Sequence, residues 1–133
     1  MKKLIILGGR GIGMIAASVA NDLGVYNVLG FLNDYISVGS KVGKYQSYEV
    51  IGTSADVKKY LDKEDIYFFI GYVGMKNEKD VYDKITSLEI PRNKFATLIH
   101  PTAIIPKGFC SIGNGVLMAP LAQLSPDTTV EDN

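Results

Sequence analysis

The sequence has little of what marks secreted, membrane or redox proteins. Its single cysteine, Cys110, cannot form an internal disulfide, and tryptophan is absent. No run approaches the roughly 18 apolar residues of a membrane-spanning helix, and the N-terminus lacks the apolar region and cleavage site of a signal peptide. We therefore expect a cytoplasmic protein that has no membrane partner.

The chain also lacks an excess of charge of either sign. Fourteen Lys and Arg residues balance fourteen Asp and Glu residues, which leaves no electrostatic footprint for a nucleic-acid backbone. His, Cys, Asp and Glu residues do not cluster with the spacing of a metal site. With 47% apolar residues, the chain can bury a core. It is expected to be globular, with no nucleic-acid partner and no metal.

Strand and helix patterns alternate along the first hundred residues. Apolar runs predict strands over residues 4–7, 28–32, 50–51, 66–70 and 95–99. Three- and four-residue spacing predicts helices over residues 13–23, after Thr53 or Ser54, and over about residues 77–88. This alternation predicts an α/β fold in which a doubly wound parallel sheet has helices on both faces.

A different period begins after residue 101. Two interlocked series recur at six-residue spacing: Ile112, Met118, Leu124 and Val130, and the smaller Val116, Ala122 and Thr128. Such hexads predict a parallel β-helix in which each aliphatic residue points inward from one flat side of a coil. Ile105 and Ile112 are seven residues apart, which predicts an irregular or bulged first coil.

The hexads supply about one coil, whereas a solenoid normally needs at least ~3 repeats and a cap to bury its apolar face. The sequence stops at Asn133 in the middle of a hexad. From this we expect that the natural polypeptide is longer.

A glycine-rich loop joins the first predicted strand to the first predicted helix. It consists of Gly8, Gly9, Arg10, Gly11, Ile12 and Gly13. Backbone amides at a helix N-terminus can hold a nucleotide's phosphates, although such a loop can also merely pack the helix against the strand. A dinucleotide fingerprint requires glycine at position 10, so Arg10 disfavours an ordinary NAD dehydrogenase. Arg10 can itself pair with a phosphate or simply be solvated.

Further candidates follow two other predicted strands. Asp34 is placed to accept a hydrogen bond from a ribose hydroxyl or a base edge, and Asn33 beside it can do likewise; turn chemistry is the alternative for both. Gly71, Tyr72 and Val73 follow the strand over residues 66–70 at the same sheet edge, as part of a site or as a flexible loop. His100, the single histidine, and Cys110 are assigned structural roles.

The order of these landmarks resembles a known family. They are the glycine loop, Phe31-Leu32-Asn33-Asp34, Phe68-Phe69-Ile70-Gly71, and Leu98-Ile99-His100-Pro101-Thr102-Ala103 before the hexads. Across its whole length the chain is similar to the sugar O- and N-acetyltransferases of the sialic acid O-acetyltransferase and UDP-4-amino-sugar N-acetyltransferase type. The resemblance implies a small Rossmann-like parallel-sheet domain over residues 1–99 that binds a sugar or nucleotide-sugar acceptor. It implies the first repeats of a left-handed β-helix over residues 100–133.

The resemblance also implies acetyl-CoA as cofactor, bound between the subunits of a homotrimer, and a histidine general base with a nearby carboxylate on the β-helix. Carried over by position, the acceptor-binding residues are the loop of residues 8–13, Asn33, Asp34, and Gly71 to Val73. In this sequence Ile12 replaces the family's usual loop histidine, and Arg10 replaces a small loop residue. The acceptor's phosphates can therefore be held differently, or the nucleotide can differ. The catalytic histidine would fall beyond Asn133. The chain alone is therefore expected to be inactive, with a weakened trimer.

Two other functions stay open: a nucleotide-binding or oligomerisation module without catalysis, and an NAD(P)-dependent oxidoreductase. The hexads disfavour the second, since a reductase has no use for them. Capsule, lipopolysaccharide, teichoic acid and glycoprotein glycan synthesis all fit the resemblance. The sugar, and transfer to oxygen or to nitrogen, stay open as well.

Overall fold

A computed structural model describes residues 1–72 and 78–133. The first part contains β1 (Lys2–Leu7), α1 (Ile12–Leu23), β2 (Tyr26–Leu32), β3 (Lys41–Val42), β4 (Tyr48–Gly52), a 3-10 helix (Ser54–Lys59), β5 (Ile66–Ile70) and α2 (Glu78–Ser87). A second 3-10 helix (Arg92–Lys94) leads into β6 (Leu98–Ile99), β7 (Cys110–Ile112), β8 (Leu117–Met118) and β9 (Thr128–Val130). Neither α-helix of the described residues has the length and apolar character needed to cross a bilayer.

Five strands form one sheet in the order β3-β4-β2-β1-β5. β1 pairs in parallel with β2 on one side and with β5 on the other, and β2 pairs in parallel with β4. β3 is the antiparallel edge strand. β1 lies between β2 and β5, and its residues 4–7 are completely buried. They therefore form the near-continuous apolar run of a strand that is covered on both faces.

The two faces of the sheet bury separate cores. Leu4 and Ile6 pack with the small residues of α1 on one face. Ile5 and Leu7 pack with Val57 and, more loosely, with Ile85 of α2 on the other face. The predicted α/β fold, a parallel sheet covered on both sides, is confirmed.

Local sequence sets the bounds of α1. The helix ends at Leu23 because Gly24 adopts the left-handed conformation (φ 68°) and its N–H donates to the carbonyl oxygens of Ala20 and Asn21. The predicted helix after Thr53 is a 3-10 helix that ends at Lys59. Asp56 accepts a hydrogen bond from the N–H of Thr53 at its start. The predicted start of α2 at residue 77 lies outside the described residues.

The predicted strand over residues 95–99 is wrong in extent and in partner. Phe95 makes an isolated bridge to Phe68, and the N–H of Ala96 donates to the carbonyl oxygen of Phe68 at 2.8 Å. After Ala96 the chain leaves the sheet, and β6 pairs instead with β8 of the next coil. A short apolar run does not encode which neighbour it pairs with. The domain division at residues 99 and 100 stays a prediction.

Residues 98–133 form two stacked coils with parallel pairing, where the hexads predicted about one. Leu98 pairs with Leu117 and Ile104 with Gln123, a separation of 19 residues, whereas β7 pairs with β9 at a separation of 18. The extra residue lies in the turn over residues 106–109, where Gly108 has φ 82°. The predicted irregular first coil is confirmed.

Candidate functional site

The glycine loop between β1 and α1 is tightly packed around three of its glycines. A Cβ on Gly8 would lie 3.0 Å from the carbonyl oxygen of Gly71, and a Cβ on Gly13 would lie 3.0 Å from the ring of Phe31. A Cβ on Gly9 would lie 3.1 Å from the amide nitrogen of Asn33. These glycines allow β1, β5 and α1 to approach one another, so the packing role considered for the loop is real.

The N-terminus of α1 is nevertheless open. Gly11 is its N-cap, with φ 75°, and nothing lies within 4 Å of a Cβ built there. Among the described residues, no side chain caps this helix and its first turn carries no acidic residue. The positive end of the helix dipole therefore lies beside the exposed Arg10. This arrangement can hold an anion.

Asn33 shapes the loop from the end of β2. Its side-chain nitrogen donates to the carbonyl oxygen of Gly8 at 3.0 Å, and its side-chain oxygen accepts from the N–H groups of Tyr35 and Ile36, both at 2.7 Å. The side chain is buried, and its amide is engaged by backbone. Asn33 thus acts on the site through Gly8, and its contact with a ligand stays a prediction.

Asp34 is held by two residues that sequence reasoning did not connect to it. Its Oδ1 accepts from the N–H of Ser54 at 2.8 Å, while its Oδ2 accepts from the Ser54 hydroxyl at 2.9 Å and from the Lys84 ammonium. Partial burial acts to raise the pKa of this carboxyl, but the hydrogen bonds from Lys84 and Ser54 outweigh it and hold the pKa below its usual value. Asp34 is therefore ionised at neutral pH.

Tyr72 lies beside this ion pair, directly after β5. The Nζ of Lys84 is 4.8 Å from the centre of the Tyr72 ring and 5.8 Å from that of Tyr35. Within the described residues the Tyr72 hydroxyl is buried with no hydrogen-bond partner, and burial raises its pKa. A cavity of about 280 Å³ opens here, lined by Tyr35, Tyr72, Asp80, Val81 and Lys84.

A larger cavity of about 590 Å³ adjoins the first, since Tyr72 and Val81 line both. Ile12 of the glycine loop forms another part of its wall, and residues 115–117 and 130–133 of the coils form its far side. The cavity therefore runs from the glycine loop to the coils.

The structure thus brings the predicted residues of the loop, Asn33, Asp34, Gly71 and Tyr72 to one edge of the sheet. Val73 lies outside the described residues. Sequence reasoning missed Lys84, Tyr35 and the role of Ser54. The sequence signal for Lys84 is its place in the helix predicted over about residues 77–88, next to the apolar Ile85.

His100 belongs to a different part of the molecule. Its Nε2 lies 3.1 Å from the carboxylate of Asp22 and its Nδ1 lies 2.8 Å from the hydroxyl of Thr102, so it joins the end of α1 to the first coil. Ten residues of helix separate Asp22 from Ile12, a distance of roughly 15 Å. Across residues 1–72 and 78–133, no group of three or more His, Cys, Asp and Glu residues could hold a metal ion.

Comparison with known proteins gives a family and a fold. The family model described as PglD N-terminal domain matches residues 3–85. Comparison with curated proteins gives no match.

Two solved structures share the fold over nearly the whole chain. The acetyltransferase domain of PglB from Neisseria gonorrhoeae FA1090, in complex with acetyl coenzyme A, is 24% identical with a TM-score of 0.75. PerB from Caulobacter crescentus, in complex with CoA and GDP-perosamine, is 15% identical with a TM-score of 0.74. The matches cover 98% and 99% of this chain, which spans 59% and 58% of theirs. At these identities they establish the fold.

Proposed function

Because the chain belongs to the family of the PglD N-terminal domain, we propose that it carries the acceptor-binding part of an acetyl-CoA-dependent sugar acetyltransferase. Structures of its fold include an acetyltransferase domain with acetyl coenzyme A and PerB with CoA and GDP-perosamine. The acceptor in this proposal is a sugar or a nucleotide-linked amino sugar, used in the synthesis of a surface polysaccharide or a glycan.

One observation carries the proposal: an uncapped helix N-terminus and an ionised carboxylate meet at the same edge of a parallel sheet. The amides of Gly11 to Gly13, with Arg10, suit the phosphates of a nucleotide. Asp34 suits a ribose hydroxyl or a base edge, with Gly71 and Tyr72 beside it and Val73 assigned by sequence alone. The sugar would then extend into the cavity that Ile12 lines, toward the coils.

Acetyl transfer requires that a sugar amine or hydroxyl lose a proton as it attacks the acetyl carbonyl. Acetyl-CoA supplies the acetyl group as a thioester. The described residues bind and orient the acceptor in this proposal. His100 is not placed for the proton transfer, because its partner Asp22 lies at the far end of α1, roughly 15 Å from Ile12 of the glycine loop. We assign the general base and most of the acetyl-CoA site to β-helix residues outside this chain, in a homotrimer. On this basis the chain alone is inactive.

Calorimetric titration of the chain with UDP, GDP, CMP, NADH and acetyl-CoA tests the proposal. We expect one nucleoside phosphate to bind, NADH not to bind, and Asp34→Ala to weaken binding about tenfold or more, since a hydrogen bond to a charged group is lost. Asp62→Ala is the matched control, because Asp62 is an exposed carboxylate outside the site. Binding of NADH alone would replace the proposal with an oxidoreductase. Absence of any nucleotide binding would leave the loop with its packing role.

A further inference from the structure

The acceptor site already contains a bound cation, which the chain itself supplies. The Lys84 ammonium lies in the aromatic slot formed by the rings of Tyr35 and Tyr72, and it is paired with the Asp34 carboxylate. Two aromatic faces and a carboxylate are the surroundings in which proteins bind ammonium groups. Lys84 therefore occupies the same carboxylate and the same slot that the proposed nucleotide would use.

The hydrogen-bonding capacity of Asp34 makes this occupation matter. A carboxylate oxygen accepts about two hydrogen bonds. Oδ2 already accepts two, from the Ser54 hydroxyl and from Lys84, whereas Oδ1 accepts one, from the N–H of Ser54. A ribose diol that donates twice to Asp34 needs a second free acceptor position. That position becomes available when Lys84 leaves.

Lys84 can leave without unfolding its helix. Its side chain is 31% exposed and that of Asp34 is 26% exposed, so water reaches the ion pair. Asp80 lies one helical turn earlier on α2 and lines the same cavity. An acidic residue four positions before a lysine is the favourable order for a pair on a helix surface. Asp80 thus offers Lys84 a second partner.

We propose that Lys84 is a built-in competitor of the acceptor, which pairs with Asp34 in the empty site and moves to Asp80 when the ribose or base of a nucleotide takes the Asp34 carboxylate. This proposal rests on the proposed function, because Lys84 would regulate binding at the nucleotide site proposed there. Two oppositely directed consequences follow. Removal of the Lys84 charge tightens nucleotide binding, and removal of the Asp80 charge weakens it.

Titration of five proteins with the nucleoside diphosphate that the wild type binds, UDP or GDP, tests the proposal. Lys84→Met is expected to lower the dissociation constant about two- to fivefold, by removing a competitor whose partly exposed ion pair is worth up to about a factor of five. Asp80→Asn is expected to raise it about twofold. The controls Lys79→Met and Asp83→Asn make the same charge changes at exposed positions of α2 and are expected to bind as the wild type does.

NMR of the wild type gives a second readout that does not depend on a variant. The Lys84 nitrogen lies over the Tyr72 ring, so the methylene protons next to it should be ring-shielded and should lose that shielding as UDP or GDP is added. Unchanged or weaker binding by Lys84→Met, with an unmoved Lys84 signal, would overturn the competitor while leaving the proposed function intact. Failure of every protein to bind either nucleotide would overturn both.

Discussion

Gly71 and Gly13 touch across the end of β1: a Cβ on Gly71 would lie 3.3 Å from the Gly13 Cα and 2.9 Å from the carbonyl oxygen of Leu7. The first residue after β5 therefore rests directly on the first turn of α1. This contact holds the glycine loop against the neighbouring strand, and it brings Tyr72 next to the loop.

Gly71→Ala should destabilise the protein by about 1 to 3 kcal/mol, because the new methyl group meets backbone atoms that cannot rotate away. Urea unfolding measures the loss, with the exposed Ser18→Ala as a control for a mutation near the loop. A loss of no more than the control would mean that the strand end and the helix can separate at little cost.

Asn33→Ala should cost about 2 to 3 kcal/mol and weaken nucleotide binding. The substitution leaves the buried Gly8 carbonyl and the partly buried N–H groups of Tyr35 and Ile36 without their partner. Urea unfolding and calorimetry measure the two effects. Asn33→Asp keeps the acceptor for Tyr35 and Ile36 but sets an oxygen against the Gly8 carbonyl. It should therefore retain part of the stability and still bind more weakly than the wild type.

The stabilising contribution of Asp34 should disappear in acid. Its pKa is held below the usual value in the folded state, so the contribution is complete above the unfolded pKa of about 3.9 and is lost as the pH falls through the lower folded pKa. The pair is partly exposed, so the contribution should be below about 1 kcal/mol. Unfolding of wild type and Asp34→Asn at pH 7 and pH 3 gives the test. A stability gap that stays constant or grows in acid would contradict the assignment.

The two coil turns should both favour glycine, so removing it from one and adding it to the other should have opposite effects on stability. Gly108 has φ 82° with open space around it, so Gly108→Ala should cost about 1 kcal/mol through backbone strain alone. Asp127 in the equivalent turn of the next coil has φ 64°, and Asp127→Gly should relieve strain of similar size, partly offset by the entropy of the unfolded glycine. Thermal unfolding of both variants measures the difference. Equal shifts of the same sign would show that the turns are not strained in this way.

Much of the sheet could be predicted because its strands are apolar runs that end at glycine or asparagine. β5 has the predicted bounds, and α1 begins one residue before the predicted start. Since parallel strands end at one edge, the sequence also predicted that the loop, Asp34 and Gly71 would be neighbours. The resemblance to the sugar acetyltransferases is confirmed by the match over residues 3–85.

The errors lie where tertiary packing decides. Residues 98 and 99 have an apolar composition that suits a strand of the sheet and a strand of the coil equally. The N–H of Ala96 donates to the carbonyl oxygen of Phe68 in the sheet, whereas residues 98 and 99 pair with β8. Lys84 is 50 residues from Asp34, and its contact depends on how α2 docks against the sheet. Neither a helical period nor a charge count encodes that rotation of the helix.

The single extra residue in the first coil has a consequence for the phase of the solenoid. Because the turn over residues 106–109 absorbs it, the strand pairing changes from a 19-residue step before the turn to an 18-residue step after it. The 18-residue pairing step after the turn equals three six-residue repeats. The turn over residues 106–109 can therefore vary in length without changing the register of the coil that follows.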